Sequence, residues 1–123
     1  MRILELDADR ARTVTDFGSE RFTVTPMAQI ARGVMTFLRL GPGGRIGRHA
    51  AVRRQLFLVV AGDAIVSGAD GTEHPLKPGH AALWEPGESH ETRSLSGMMA
   101  VITEGDVRAF LVEQPPAGTG TGG

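Results

Sequence analysis

The feature that most constrains this chain is its punctuation. Seventeen glycines and seven prolines fall between short apolar runs instead of gathering in one segment. Both residues are costly inside helices, so a helical bundle is a poor fit, and the pattern is that of many short strands joined by turns. Expected strands are Arg21–Thr25, Gly33–Leu40, Gln55–Ala61, Ala64–Ser67, His80–Trp84, His90–Leu95 and Met98–Thr103, with a last one over Arg108–Val112. The connecting stretches read "GPGG", "AGD", "GADG", "KPG", "EPGE" and "SG". Asp70-Gly71 points to a type I′ hairpin, a turn that needs positive φ at both central residues. Leu6–Thr15 fits either a short helical turn or an irregular arm.

Two of the runs, "LFLVV" and "MMAVI", do not alternate between apolar and polar. Such strands are covered on both faces. One cover would be the interior of a small β-barrel. The other would be an opposing sheet or a second copy of the chain, so a homodimer is expected.

The 123 residues suit one domain with one core. That domain is expected over 1–114, with an N-terminal arm, and the tail "PPAGTGTGG" over 115–123 is expected to be disordered because it has nothing to bury. A net charge of -1 gives no general pull toward nucleic acid or an anionic membrane, and neither is expected as a partner. There is no cysteine, which removes disulfides, thiolate nucleophiles and zinc–thiolate sites. The N-terminal stretch lacks the apolar segment of a secretory signal, and no apolar run approaches a membrane span. A cytoplasmic location is therefore the expectation. Neither a nucleophile elbow nor a glycine-rich phosphate loop is present.

The chemistry concentrates in two segments. In "GRIGRHAAVRRQLFLVVAG", Gly43 precedes His49 by six positions, Gln55 follows His49 by six, and Gly62 follows Gln55 by seven. In "GHAALWEPGESHE", Gly79 opens a strand, Gly87 sits in a turn and His90 starts the next strand. This paired spacing resembles the two motifs of the cupin superfamily, over about Leu40 to Ser94. The resemblance implies an all-β fold, a double-stranded β-helix or jelly-roll barrel.

Metal-binding cupins hold a divalent ion with two histidines, a glutamate and a later histidine. Here His49 and His90 keep the first and last positions, Ala51 stands at the second, and Gln55 stands at the third. Glu85 replaces the proline of the second motif and Ser94 its asparagine. Regular alternation sends His49, Ala51, Gln55, Phe57 and Val59 to one side of their strands and His90 and Thr92 inward on theirs. His49, Gln55, Phe57, His90 and Thr92 are the expected ligand-pocket residues, with His49, Gln55 and His90 as metal ligands. Nitrogen and amide-oxygen donors leave zinc, iron, nickel, manganese and copper open. With no anionic ligand, the ion would favour an anionic small molecule such as a carboxylate or enolate.

Two functions follow from the resemblance. One is a metal-dependent enzyme acting on a small carboxylate or enolic substrate. The other is a non-catalytic binding or sensing protein whose ligand is held without metal. A barrel filled by Phe57 and Met99 would instead make an interaction module. Among the other polar residues, Glu85 or Glu88 could accept a hydrogen bond from His90 or act as an acid–base. Arg45, Arg48, Arg53 and Arg54 form either an anion-attracting rim or a solvated surface. His74 and His80 are expected at the surface. Trp84 is expected in the core or an interface. No catalytic residue is assigned.

Overall fold

The computed structural model describes residues 1–114, almost entirely as strands; the tail expected over 115–123 lies outside the described residues. In chain order the strands are β1 (Arg2–Glu5), β2 (Arg12–Thr13), β3 (Thr23–Val24), β4 (Ala28–Leu40), β5 (Arg45–Ala50), β6 (Gln55–Gly62), β7 (Ala64–Ser67), β8 (Glu73–Leu76), β9 (His80–Trp84), β10 (Ser89–Arg93), β11 (Met98–Ala109) and β12 (Val112–Glu113). Short 3-10 turns at Ala8–Arg10 and Asp16–Gly18 punctuate the N-terminal arm.

Two antiparallel sheets face each other, as in a jelly roll. One has six strands in the order β12-β1-β9-β6-β11-β4, the other four in the order β5-β10-β7-β8. Between them lies a core of Phe57, Val59 and Trp84 from the larger sheet and Ala64, Val66 and Leu76 from the smaller. A second cluster, with Leu4, Leu56, Leu58, Ala81, Leu83 and Leu111, covers the outer face of the six-stranded sheet. The two-sided apolar character of β9 and of β6 up to Val59 is thus satisfied within one chain. It is not satisfied on β4, which leaves Val34, Met35 and Phe37 exposed.

The expected strands at Ala64–Ser67 and His80–Trp84 match the structure residue for residue. The largest departures are β4 and β11, each several residues longer than expected. They pair from Met98–Leu40 to Ala109–Ala28, with a bulge between Gly105 and Val107. Gly105 carries the bend at φ 139°, and a Cβ there would lie 2.2 Å from the Arg32 carbonyl oxygen. Only glycine allows the two backbones that close. The expected strand at Arg108–Val112 is divided, its start being the end of β11 and its last residue the start of β12. β1, β5 and β8 were not expected as strands; each is short and mixed in polarity.

The Asp70-Gly71 turn forms differently. It joins β7 to β8, but only Gly71 has positive φ. Gly71 N–H donates to the Gly68 carbonyl at 3.1 Å, and Asp70 Oδ1 accepts from Thr72 N–H at 2.9 Å. The aspartate side chain therefore closes a longer loop, and the type I′ geometry is absent. Met99, one of the two side chains weighed as barrel filling, points out of the sheet and is exposed, while its neighbour Ala100 is buried inside.

Candidate functional site

The two motif histidines meet because β5 and β10 pair. His49 and His90 stand opposite each other in that antiparallel pair, with ring centroids 4.4 Å apart. Each ring is fixed by a local bond. His49 Nδ1 lies 2.7 Å from the Gly47 carbonyl oxygen, and His90 Nδ1 lies 3.0 Å from that of Glu88. A carbonyl can only accept, so in the neutral form of each ring Nδ1 carries the proton and Nε2 keeps its lone pair. Neither Nε2 has a hydrogen-bond partner among the described residues.

The environments of the two rings differ. His90 is 3% exposed and stacks on Trp84, with centroids 4.3 Å apart and planes 25° from parallel. Burial holds its pKa below the usual imidazole value, against the opposing pull of the Glu88 carbonyl; neighbouring His49 lowers it further. It is therefore neutral near pH 7. His49 sits on an edge strand and is exposed.

Both histidines line one cavity of about 260 Å³ together with Gln55, Phe57, Trp84, Thr92 and Glu104, its walls completed by Thr36, Leu38, Ile46 and Ile102. All five residues expected to form the pocket therefore line the same cavity. Ala51 lines none of it; it packs in the core cluster that holds Phe57 and Trp84. Gln55 is 6% exposed, and its amide nitrogen donates to Glu104 Oε2 at 3.2 Å. Its Oε1 is buried without a partner among the described residues, and so is Nε1 of Trp84, its neighbour across the β6–β9 pair. An acceptor and a donor left unpaired side by side are a reserve of hydrogen-bonding capacity at the cavity wall.

The other sequence expectations separate cleanly. The partner of His90 is the main chain of Glu88. The Glu88 carboxylate instead pairs with the Met1 amino group at 2.6 Å and accepts from Glu85 N–H. Glu85 pairs with Arg54, Arg53 with Asp106, and Arg45 and Arg48 with Glu91. None of the four arginines lines the histidine cavity. A larger groove of about 600 Å³ is lined by Arg53, Arg54, Arg108, Glu85 and Asp106, and there Arg53 and Arg54 are paired with Asp106 and Glu85. His74 and His80 are half-buried, not surface residues, because β8 and β9 pack their flanks.

Sequence reasoning missed Glu104, whereas Trp84 lies in the core as expected and also lines the cavity. In the fold Ala100 and Ile102 point inward on β11 and Glu104 continues that series, but the strand expected from the sequence ends at Thr103. Trp84 was legible as a buried aromatic, but its stacking on His90 depends on the fold.

Among the described residues no three histidine, aspartate or glutamate side chains converge closely enough to hold a metal. By donor chemistry the pair of histidines suits a late first-row ion, for which neutral imidazole is a good ligand, and both rings line the cavity. With the Gln55 oxygen covered, the protein offers that ion a sparse, weakly binding donor set.

A two-sheet jelly roll with paired histidines lining one cavity defines a class of small β-sandwich proteins. The cupin domain family model matches residues 36–107, and the chain belongs to this family. Solved structures agree on the fold. A conserved protein of unknown function from Streptococcus pyogenes is 16% identical with a TM-score of 0.55, over 71% of this chain and 69% of that one. A cupin superfamily protein from Desulfitobacterium hafniense is 14% identical with a TM-score of 0.56, over 62% and 69%. A predicted oxalate decarboxylase from Thermotoga maritima is 17% identical with a TM-score of 0.52, over 66% of each chain. No curated protein matches the sequence.

Proposed function

We propose that this cupin binds a small molecule in the His49–His90 cavity through a divalent transition ion carried by the two Nε2 atoms. The observation that carries the reading is the tethering of both Nδ1–H groups to backbone carbonyls, which leaves two lone pairs on facing strands of one cavity. Backbone tethering of this kind fixes tautomer and ring orientation in metal sites. When bound, the ion supplies Lewis-acid charge, which favours a carboxylate or enolate as the small molecule. Thr92 and Trp84 wall the space beside it. Zinc, iron, nickel, manganese and copper are the ions that suit such donors.

The test is metal analysis of tag-free protein, as purified and after loading with Fe²⁺, Zn²⁺, Ni²⁺, Mn²⁺ or Cu²⁺. Close to one equivalent of one ion, lost in His49→Ala and His90→Ala, is the expected outcome. No stoichiometric metal under any condition overturns it and favours the second reading, a non-catalytic binding protein without metal. Ala51 in place of a ligand and the engaged Gln55 amide support that second reading.

The proposal includes a homodimer. Met35 and Phe37 on β4 and Met99 on β11 form an exposed apolar strip on the outer face of the six-stranded sheet. A second copy would cover it. The cytoplasm is the location we propose.

A further inference from the structure

Gln55 stands where the family's motif has a glutamate, and the structure puts a carboxylate one strand away. Glu104 on β11 is the register partner of Gln55 on β6. Its Oε2 accepts from the Gln55 amide at 3.2 Å, and among the described residues it is the only acidic side chain lining the histidine cavity. A single row of neighbours crosses the sheet here: Trp84, Gln55, Glu104 and Val34. It runs from a buried tryptophan to an exposed valine, so Glu104 stands toward the open side of the cavity.

Glu104 is half-buried, and among the described residues no arginine, lysine or histidine forms an ion pair with it. The other carboxylates around the motif loops, Glu85, Glu88 and Glu91, are all paired. A half-buried carboxylate without a counter-ion, in a cavity whose histidines present lone pairs, is an unmet demand for positive charge. The amide between them has one allowed orientation. A carboxylate cannot accept from a carbonyl, so the Gln55 NH₂ must face Glu104.

We infer that Glu104 supplies, from the neighbouring strand, the negative charge that the motif position at Gln55 has lost. It is a positioning residue: it does not reach the ion together with both imidazoles, consistent with the absence of a three-residue cluster. It orients Gln55 and offsets part of the charge of a dication at His49 and His90. This deepens the metal reading above and rests on it.

The experiment uses Co²⁺ as the probe, titrated into tag-free protein by calorimetry and by visible absorption. Four forms are compared: wild type, Glu104→Gln, Glu104→Asp and the exchange Gln55→Glu with Glu104→Gln. Loss of an outer carboxylate partner typically weakens a metal site about 10–100-fold, and that is the change expected for Glu104→Gln. Glu104→Asp keeps the charge and is expected to retain most of the affinity. The exchange variant returns the carboxylate to β6 and is expected to restore binding, with an altered cobalt spectrum because the carboxylate then reaches the ion. Thermal melts of all four separate folding from binding.

Glu104→Gln that titrates like wild type overturns the inference while the metal reading stands. A folded wild type that takes up no Co²⁺ overturns both. Loss in Glu104→Gln with no recovery in a folded exchange variant also overturns the inference, because the charge was then not what mattered.

Discussion

The two walls of the cavity are built to different standards. The inner wall comes from β6, β9 and β10, and there Phe57, Trp84, His90 and Thr92 are each no more than 3% exposed. The outer wall comes from β4 and β5, where Thr36 and His49 are both exposed. The inner strands have neighbours on both edges, whereas β4 and β5 are each the end strand of their sheet. A side chain with neighbours on every side keeps one position; a side chain on an edge strand can be reached by ligand. The same residue type, histidine, therefore does two jobs. His90 is a fixed point inside the fold, and His49 is an accessible point facing it.

The largest expected effect tests the inner wall. Trp84 is 1% exposed, stacks on His90 and lies 5.7 Å from the Phe57 ring centroid. Trp84→Ala is expected to lower unfolding free energy by about 3–5 kcal/mol, the usual cost of emptying a large aromatic site. Chemical denaturation measures it. A loss below about 1 kcal/mol would mean that the wall collapses around the gap and is not rigid.

A smaller effect comes from the other end of β9. His80 is held below its usual pKa by burial first, with Glu5 opposing and Lys77 adding to the depression. The unfolded chain therefore binds a proton that the folded chain resists. The stability contributed by neutral His80 is complete above the unfolded value near 6.5 and is lost as pH falls below it. Melting temperatures between pH 7.5 and pH 5 should fall more steeply for wild type than for His80→Gln. Parallel curves for the two proteins would remove His80 from the account.

Much of this contrast was legible before the fold was known. Turn residues bounded β7 and β9 at the correct positions, and alternation put His49, Gln55, Phe57, His90 and Thr92 toward one space. Spacing could do this because motif position and strand register are local. Three things were not legible. Pairing of β11 beyond Thr103 depends on the Gly105 bulge meeting Arg32, a contact between distant segments. Glu104 becomes a pocket residue only once β11 lies beside β6. The burial of Leu56 and Leu58 on the outer side of β6 comes from Leu4 and Leu111, near opposite ends of the described chain. That last case matters most, because a two-sided apolar strand calls for a cover that is either an opposing sheet or a partner, and here much of it is this chain's own ends.

The partner question therefore moves from β6 to β4. Phe37 pairs across with Val101 and is 56% exposed; Met35 pairs with Thr103 and is 62% exposed. Their alternation mates Thr36 and Leu38 face the cavity, so Phe37 and Met35 point outward. An edge strand with exposed apolar side chains is prone to pair with another chain unless something covers it. Phe37→Asp puts a charge in the middle of this strip and touches nothing in the core. Its effect on monomer stability should stay within about 0.5 kcal/mol, as for surface substitutions generally. Its effect on assembly should be large: sedimentation velocity is expected to show a dimer for wild type and a monomer for the variant. A monomeric wild type at the same concentration would mean that this strip stays in water, and the outer wall would then be open on both of its faces.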